Sequence, residues 1–215
     1  MDIYIVHYTL LKERKLHMLN ELKKTGMNGI FIERFNKEDL TEEDMSLFSS
    51  DLKKSLCSVV SKHIYAWKLI NKSVKPYNLI CEDDVIFDDD FSSKFQKYMS
   101  QVPDDFDMVF LEDSVNLHIP EHIRKIGKNI YLKCNEETTW GGLGATRCTG
   151  LYVLSKKCAS KLLDYVNNLN KNSIYLNVDL WLNHVIRDLN LKIYWAEPVI
   201  ATQGSASGLF SSTNL

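Results

Sequence analysis

The sequence predicts an α/β fold, a largely parallel sheet with helices packed on it. Two observations carry the prediction. Short apolar runs alternate with amphipathic helical segments from one end of the chain to the other, the order expected of strands joined by helical crossovers. No internal repeat and no low-complexity linker interrupts that alternation in 215 residues, of which 45% are apolar and 25% charged. A chain of that size and composition buries a substantial core.

The elements follow in order. "IYIVHY" (Ile3–Tyr8) is the first strand. A helix spans Lys12–Lys24 with Leu16, Leu19 and Leu22 among its apolar positions, and Gly26 is its stop signal. "IFIERF" (Ile30–Phe35) is the second strand, and Thr41 with Asp44 forms a capping box that opens a short helix. Val60, Ile64, Trp67 and Ile70 fall on one stripe of a helix over Val59–Ile70. Strands follow at Asn78–Glu82, Asp107–Glu112, Asn129–Lys133 and Gly150–Ser155. Two late helices, Lys157–Asn168 and Asn177–Leu189, precede "KIYWAEPVI" (Lys192–Ile200), which closes the regular part. The tail after it is small and polar.

The whole-chain numbers exclude several classes. A formal net charge of −2 gives no general basic field for nucleic acid or an anionic membrane. No apolar run reaches the ~20 residues of a membrane-spanning helix. In "MDIYIVHYTLLKERK" the charges follow the apolar stretch, unlike a signal peptide. The five cysteines are scattered and include no CxxC pair, which reads as reduced thiols and a cytoplasmic location.

The stretch "NLICEDDVIFDDDF" (Asn78–Phe91) crowds six acids after an apolar strand. In open parallel sheets, ligands collect at the carboxyl ends of strands, and Glu82-Asp83-Asp84 stands at such an end. Clustered carboxylates raise one another's pKa and cost stability, a penalty that a divalent cation removes. Oxygen-only ligands favour magnesium, calcium or manganese over zinc, and magnesium or manganese is commonly completed by substrate phosphates. The competing reading is a solvated turn, which is the better one for an acid triplet in isolation. Asp88–Asp90 reads as helix-entry punctuation before "FSSKFQKYM", where acids favour the helix N-terminus.

Other positions carry two readings each. His63 shares the apolar stripe of its helix, which is the usual setting of a hydrogen-bonded core histidine, yet that helix runs into the acidic strand. Asp179, in the first turn of the last helix, is either a helix-terminus acid or a general base aimed into a cleft. Glu112 and Asp113 end another strand and compete for the base role. In "TTWGGLGATRCTG" (Thr138–Gly150), Trp140 beside Gly141, Gly142 and Gly144 is either a lid over a ligand or an irregular loop with a tucked-in indole.

Together these residues resemble glycosyltransferase family 25, whose members include bacterial lipooligosaccharide galactosyltransferases and procollagen galactosyltransferases. "IYIVHYTLLKERKLHML" is similar to the family's first strand and following Arg, here Arg14. "CSVVSKHIYAW" keeps the His-Trp spacing at His63 and Trp67, with Lys62 in the place of the family's Ser. "CEDDV" matches the acidic motif. Ser155, Asp179 in "NVDLWL", and Pro198 and Gln203 in "AEPVIATQ" match later positions. The resemblance covers nearly the whole chain.

It implies a GT-A type, Rossmann-like fold over residues 1–215 as a single domain, and an inverting transfer of a hexose, galactose first, from a UDP-sugar. The acceptor is a hydroxyl of a glycan, lipooligosaccharide or glycoprotein. Glu82-Asp83-Asp84 becomes a DxD-like motif. Asp84 and Glu82 take manganese (or magnesium), and Asp83 contacts the sugar or ribose. Arg14, His63 and Gln203 serve the donor, and Asp179, with Asp113 second, is the base. The alternative is a catalytically inactive nucleotide-sugar or glycan-binding domain of the same fold. A metal-dependent phosphohydrolase using the same acids ranks last.

Overall fold

The computed structural model describes residues 1–113, 116–133 and 144–211. Trp140, Gly141 and Gly142, the core of the expected lid, lie outside the described residues.

The strands of the central sheet are β1 (Asp2–Val6), β2 (Asn28–Ile32), β3 (Tyr77–Glu82), β5 (Met108–Phe110), β6 (Ile130–Leu132), β7 (Leu151–Ser155) and β8 (Ile193–Ala196). Among the described residues their order is β2-β1-β3-β7-β5-β8-β6. β7 and β6 pair antiparallel with their neighbours, and the other five strands share one direction. The mostly parallel α/β class read from the sequence therefore holds.

Alternation along the strands divides the core between the two faces. Tyr4, Val6, Ile80, Tyr152 and Leu154 face one layer, with Trp67, Leu162, Trp181 and Leu182. That layer is made of α3 (Lys54–Lys72), α5 (Lys156–Asn167) and α6 (Val178–Asp188). Ile3, Ile5, Leu79, Cys81 and Val153 face the other, with Met18, Leu22, Phe91 and Phe95. Those four residues sit on α1 (Lys12–Thr25) and α4 (Phe91–Met99).

Several local expectations hold. Gly26 ends α1 in the left-handed region at φ 68°, where glycine carries no Cβ penalty. Thr41 and Asp44 close a reciprocal capping box on α2 (Glu42–Met45). Others change. Leu16 and Leu19 are 62% and 48% exposed. The buried side of α1 carries Arg14, Met18, Glu21 and Leu22, because Arg14 and Glu21 find partners inside: Glu21 accepts from the Phe87 N–H at 2.7 Å.

The closing segment does not form one strand. β8 ends at Ala196, a cis Glu197–Pro198 bond follows, and Ala201–Gln203 form β9. β9 pairs antiparallel with β4 (Val85–Phe87), a strand that the acid-rich sequence concealed. Asp90 holds the N-cap position of α4 but makes no side-chain capping bond. Asp88 and Asp90 pair with Lys94, and Asp89 with Lys24, all on the surface.

Candidate functional site

Register explains how the acids come together. β1 and β3 lie parallel with Val6 opposite Glu82, so the next residues, His7 and Asp83, emerge side by side. β7 runs antiparallel with Leu151 opposite Cys81, which brings Gly150 and Thr149 to the end of β3. The Glu82 N–H donates to the Gly150 carbonyl at 3.0 Å, and the Thr149 hydroxyl to Glu82 Oε1 at 2.8 Å. These ends open into a cleft of about 370 Å³.

Its walls include Tyr8, Leu11, Lys37, Leu56, Val59, Cys148, Thr149, Asn177, Val178 and Asp179. Glu82, Asp83, Asp84, Arg14, Lys62, Gln203 and Ser205 line it as well. The structure thus gathers Arg14, Glu82, Asp83, Asp84, Asp179 and Gln203 of the expected set. His63 and Asp113 do not line the cleft.

The three consecutive acids have three environments. Asp83 is consumed within the protein: Oδ1 accepts from Arg14 Nη1 at 2.9 Å, and Oδ2 bonds His7 Nδ1 at 2.7 Å. Burial favours its neutral form, but the bonds from His7 and Arg14 outweigh burial and hold its pKa below the usual value. Asp83 lines the cleft and both of its oxygens bond within the protein, where they brace β1 and α1 against the acidic motif.

Asp84 is 2% exposed. Its Oδ2 accepts from the Ser205 N–H at 3.1 Å and lies 3.6 Å from Arg14 Nη1, while Oδ1 has no hydrogen-bond partner. Glu82 is pushed up, first by burial and then by the Asp84 charge beside it, against the stabilising bond from Thr149. Asp84 and Glu82 both bring carboxylate oxygens to the cleft. Among the described residues no group of three or more His, Cys, Asp or Glu side chains forms a protein-only cage.

The segment after β9 fixes Asp84 from outside. The Gly204 N–H donates to the Asp84 carbonyl at 2.7 Å. A Cβ on Gly204 would sit 2.9 Å from that oxygen and 2.7 Å from Phe210, so only glycine fits. Phe210 lies under the Arg14 guanidinium, 5.3 Å from centroid to Cζ, and Arg14 Nη2 donates to the Ser211 carbonyl at 2.8 Å. Arg14 is 6% exposed and spent on these partners.

His63 sits behind Glu82, wholly buried, with burial pulling its pKa down to about 3. Its Nδ1 and the Trp67 indole N–H both meet the Tyr152 hydroxyl, at 2.9 and 3.1 Å. The indole can only donate, so the Tyr152 hydroxyl accepts from Trp67. Nε2 lies 3.9 Å from Glu82 Oε1. His63 therefore backs the acidic motif from the core and does not wall the cleft. Asp113 lies 3.9 Å from His118 Nε2, away from the cleft.

Asp179 stands in the first turn of α6, and among the described residues its carboxylate has no hydrogen-bond partner. Its backbone carbonyl accepts from the Thr146 hydroxyl at 3.3 Å. Asn183 on the same helix accepts from the Ala145 and Thr146 N–H groups at 2.8 and 2.9 Å. These bonds join α6 to the segment that leads into Thr149.

Lys62 escaped the sequence reading as a structural element. Its Nζ donates to the His7 carbonyl at 2.5 Å, the Ile32 carbonyl at 3.4 Å and Asn36 Oδ1 at 2.9 Å. It ties the carboxyl ends of β1 and β2 together, and burial lowers its pKa to about 8. The sequence marked it only as the residue standing in the place of the family's Ser before His63.

The site is an acid-centred cleft at the carboxyl ends of a mostly parallel α/β sheet. A family model described as glycosyltransferase family 25 (LPS biosynthesis protein) matches residues 1–182. The chain belongs to glycosyltransferase family 25, and it is a glycosyltransferase. No curated protein sequence matches the chain.

Three solved structures resemble its overall shape. The inositol-1-phosphate CTP transferase from T. maritima is 13% identical, with TM-score 0.42, covering 94% of this chain and 68% of that one. A putative glucose-1-phosphate thymidylyltransferase from Bacillus anthracis, in complex with a sucrose, is 11% identical, with TM-score 0.45, covering 100% and 78%. Mouse xyloside xylosyltransferase 1 in its apo form is 12% identical, with TM-score 0.40, covering 89% and 63%. Likeness this distant says nothing of substrate. Among the described residues no helix is long and apolar enough to cross a membrane.

Proposed function

We propose that the chain acts as one domain that transfers a hexose, galactose first, from a UDP-sugar to a hydroxyl of a glycan, lipooligosaccharide or glycoprotein acceptor, with inversion and with manganese or magnesium. The observation that carries this reading is Asp84 Oδ1, a buried carboxylate oxygen without a hydrogen-bond partner in an acid-lined cleft. An unpaired buried carboxylate oxygen is costly unless something positive meets it.

The donor set fits a cation shared with a diphosphate. Asp84 and Glu82 supply carboxylate oxygens, and the remaining ligands come from phosphate, the usual arrangement for magnesium. The lack of a protein-only cage among the described residues accords with that. The cation supplies positive charge to the leaving diphosphate. The chain does the rest. Arg14 and Ser205 hold Asp84 Oδ2, which leaves Oδ1 as the oxygen that would meet the cation. Asp179 accepts the proton of the acceptor hydroxyl as that oxygen bonds to the anomeric carbon. The bond from that carbon to the diphosphate breaks, and UDP leaves with the bonding pair. Gln203 walls the donor side of the cleft.

The test is UDP release from UDP-Gal, UDP-Glc, UDP-GlcNAc and UDP-GlcA, with and without manganese. Turnover with at least one donor, dependent on metal and lost in Asp84→Ala, is expected. Absence of turnover with every donor, together with unchanged donor binding in Asp84→Ala, defeats the proposal. Binding without turnover identifies the inactive binding domain instead.

A further inference from the structure

We infer that Asn177 binds a hydroxyl of the transferred sugar, an assignment that rests on the donor reading above. Asn177 occupies the N-cap of α6, where an asparagine ordinarily accepts a hydrogen bond from the first turn. Here it makes no capping bond. Its amide oxygen is enclosed and has no hydrogen-bond partner, and no hydrogen bond joins its side chain to any other described residue. The same residue lines the cleft with Asp179, Thr149 and Glu82.

Leaving an enclosed amide oxygen unsatisfied costs free energy in the empty protein, and a ligand that supplies a donor recovers it. Rotation about the terminal bond exchanges the amide's donor and acceptor ends. Whichever end faces the cleft, a hydroxyl, which both gives and takes a hydrogen bond, satisfies it.

The neighbours select the ligand class. In the donor reading the diphosphate is accounted for by the cation at Glu82 and Asp84, and the Asp179 carboxylate, which lines the same cleft two residues from Asn177, disfavours a further anionic group against that amide. Lys37, Tyr8, Leu56 and Val59 also line the cleft and offer a cation, an aromatic ring and apolar surface, which suit a nucleoside better than a sugar. A neutral sugar hydroxyl is the group that remains for the amide.

Calorimetry in the presence of manganese tests the assignment, with wild type, Asn177→Ala and Asn177→Ser each titrated with UDP and with UDP-Gal, UDP-Glc and UDP-GlcNAc. Both variants should bind the preferred UDP-sugar about tenfold more weakly, the size expected for one neutral hydrogen bond, while UDP affinity stays within twofold. Their thermal midpoints should not fall below that of wild type, because no capping bond is lost and an unsatisfied enclosed oxygen is removed. Equal weakening of UDP and UDP-sugar, or no weakening of either, overturns the assignment. So does a change confined to the acceptor KM. If the wild type binds UDP but gains nothing from the sugar, the Asn177 assignment falls alone. If it binds neither UDP nor any UDP-sugar, the donor reading falls with it.

Discussion

Arg14 and Asp83, 69 residues apart in sequence, meet in a buried ion pair at 2.9 Å that braces the floor of the cleft. Removing one partner leaves the other charged and enclosed. Asp83→Asn or Arg14→Ala should destabilise the protein by about 3–5 kcal/mol, measured by chemical denaturation. The pair also sets an acid limit. The folded pKa of Asp83 is lowered, so its contribution is full above the unfolded value and lost as pH falls through the folded one. Wild-type stability should decline below about pH 4, and Asp83→Asn should lack that part of the decline.

Lys62 has the opposite dependence. Its folded pKa of about 8 lies below the ordinary lysine value of 10.5, so the unfolded chain holds more protons between those values. Stability should therefore rise across that alkaline window through this group, and Lys62→Met should abolish the rise. At neutral pH the same variant should be less stable by about 1–3 kcal/mol, because the His7 carbonyl and the Asn36 side-chain oxygen lose a buried donor.

Two of the six crowded acids separate the site from the surface. Asp84→Ala should lower kcat by at least about a hundredfold, the scale of losing an electrostatic element of the transition state. Asp89, whose side chain is 99% exposed beside Lys24, lies outside the cleft. Asp89→Ala should keep wild-type turnover in the same UDP-release assay.

Cys148 offers a chemical probe of the cleft. It lines the cleft wall and is partly exposed, while Cys57, Cys81 and Cys158 are buried. Among these four thiols, N-ethylmaleimide should label Cys148 first by peptide mass spectrometry. Bound UDP-sugar with manganese should slow that labelling several-fold. Equal labelling with and without donor would place the ligand elsewhere.

The α/β class, the capping box at Thr41 and Asp44, and the stop at Gly26 were legible because each is written in neighbours two to four residues apart. The acidic motif was legible as a strand end for the same reason. The internal partners of Asp83 were not legible. Its partners His7 and Arg14 come from another strand and helix, and nothing local marks them. His63 and Trp67 were visible as a pair at helical spacing, but their common partner is Tyr152 on β7. β4 and β9 stayed hidden because three-residue strands carry too little periodicity to declare themselves.

By itself, then, the sequence determined the alternating elements, the strand that ends in acids, and the helix that presents Asp179. Those properties depend on short-range periodicity and on the chemistry of single residues. Only the tertiary structure decided that Asp83 is spent on Arg14 and His7, that Asp84 keeps one oxygen unpartnered, and that Ser205, 121 residues away, holds the other. The physical reason is that a carboxylate's role depends on which donors and charges surround it once buried, and packing, not local spacing, brings those neighbours together.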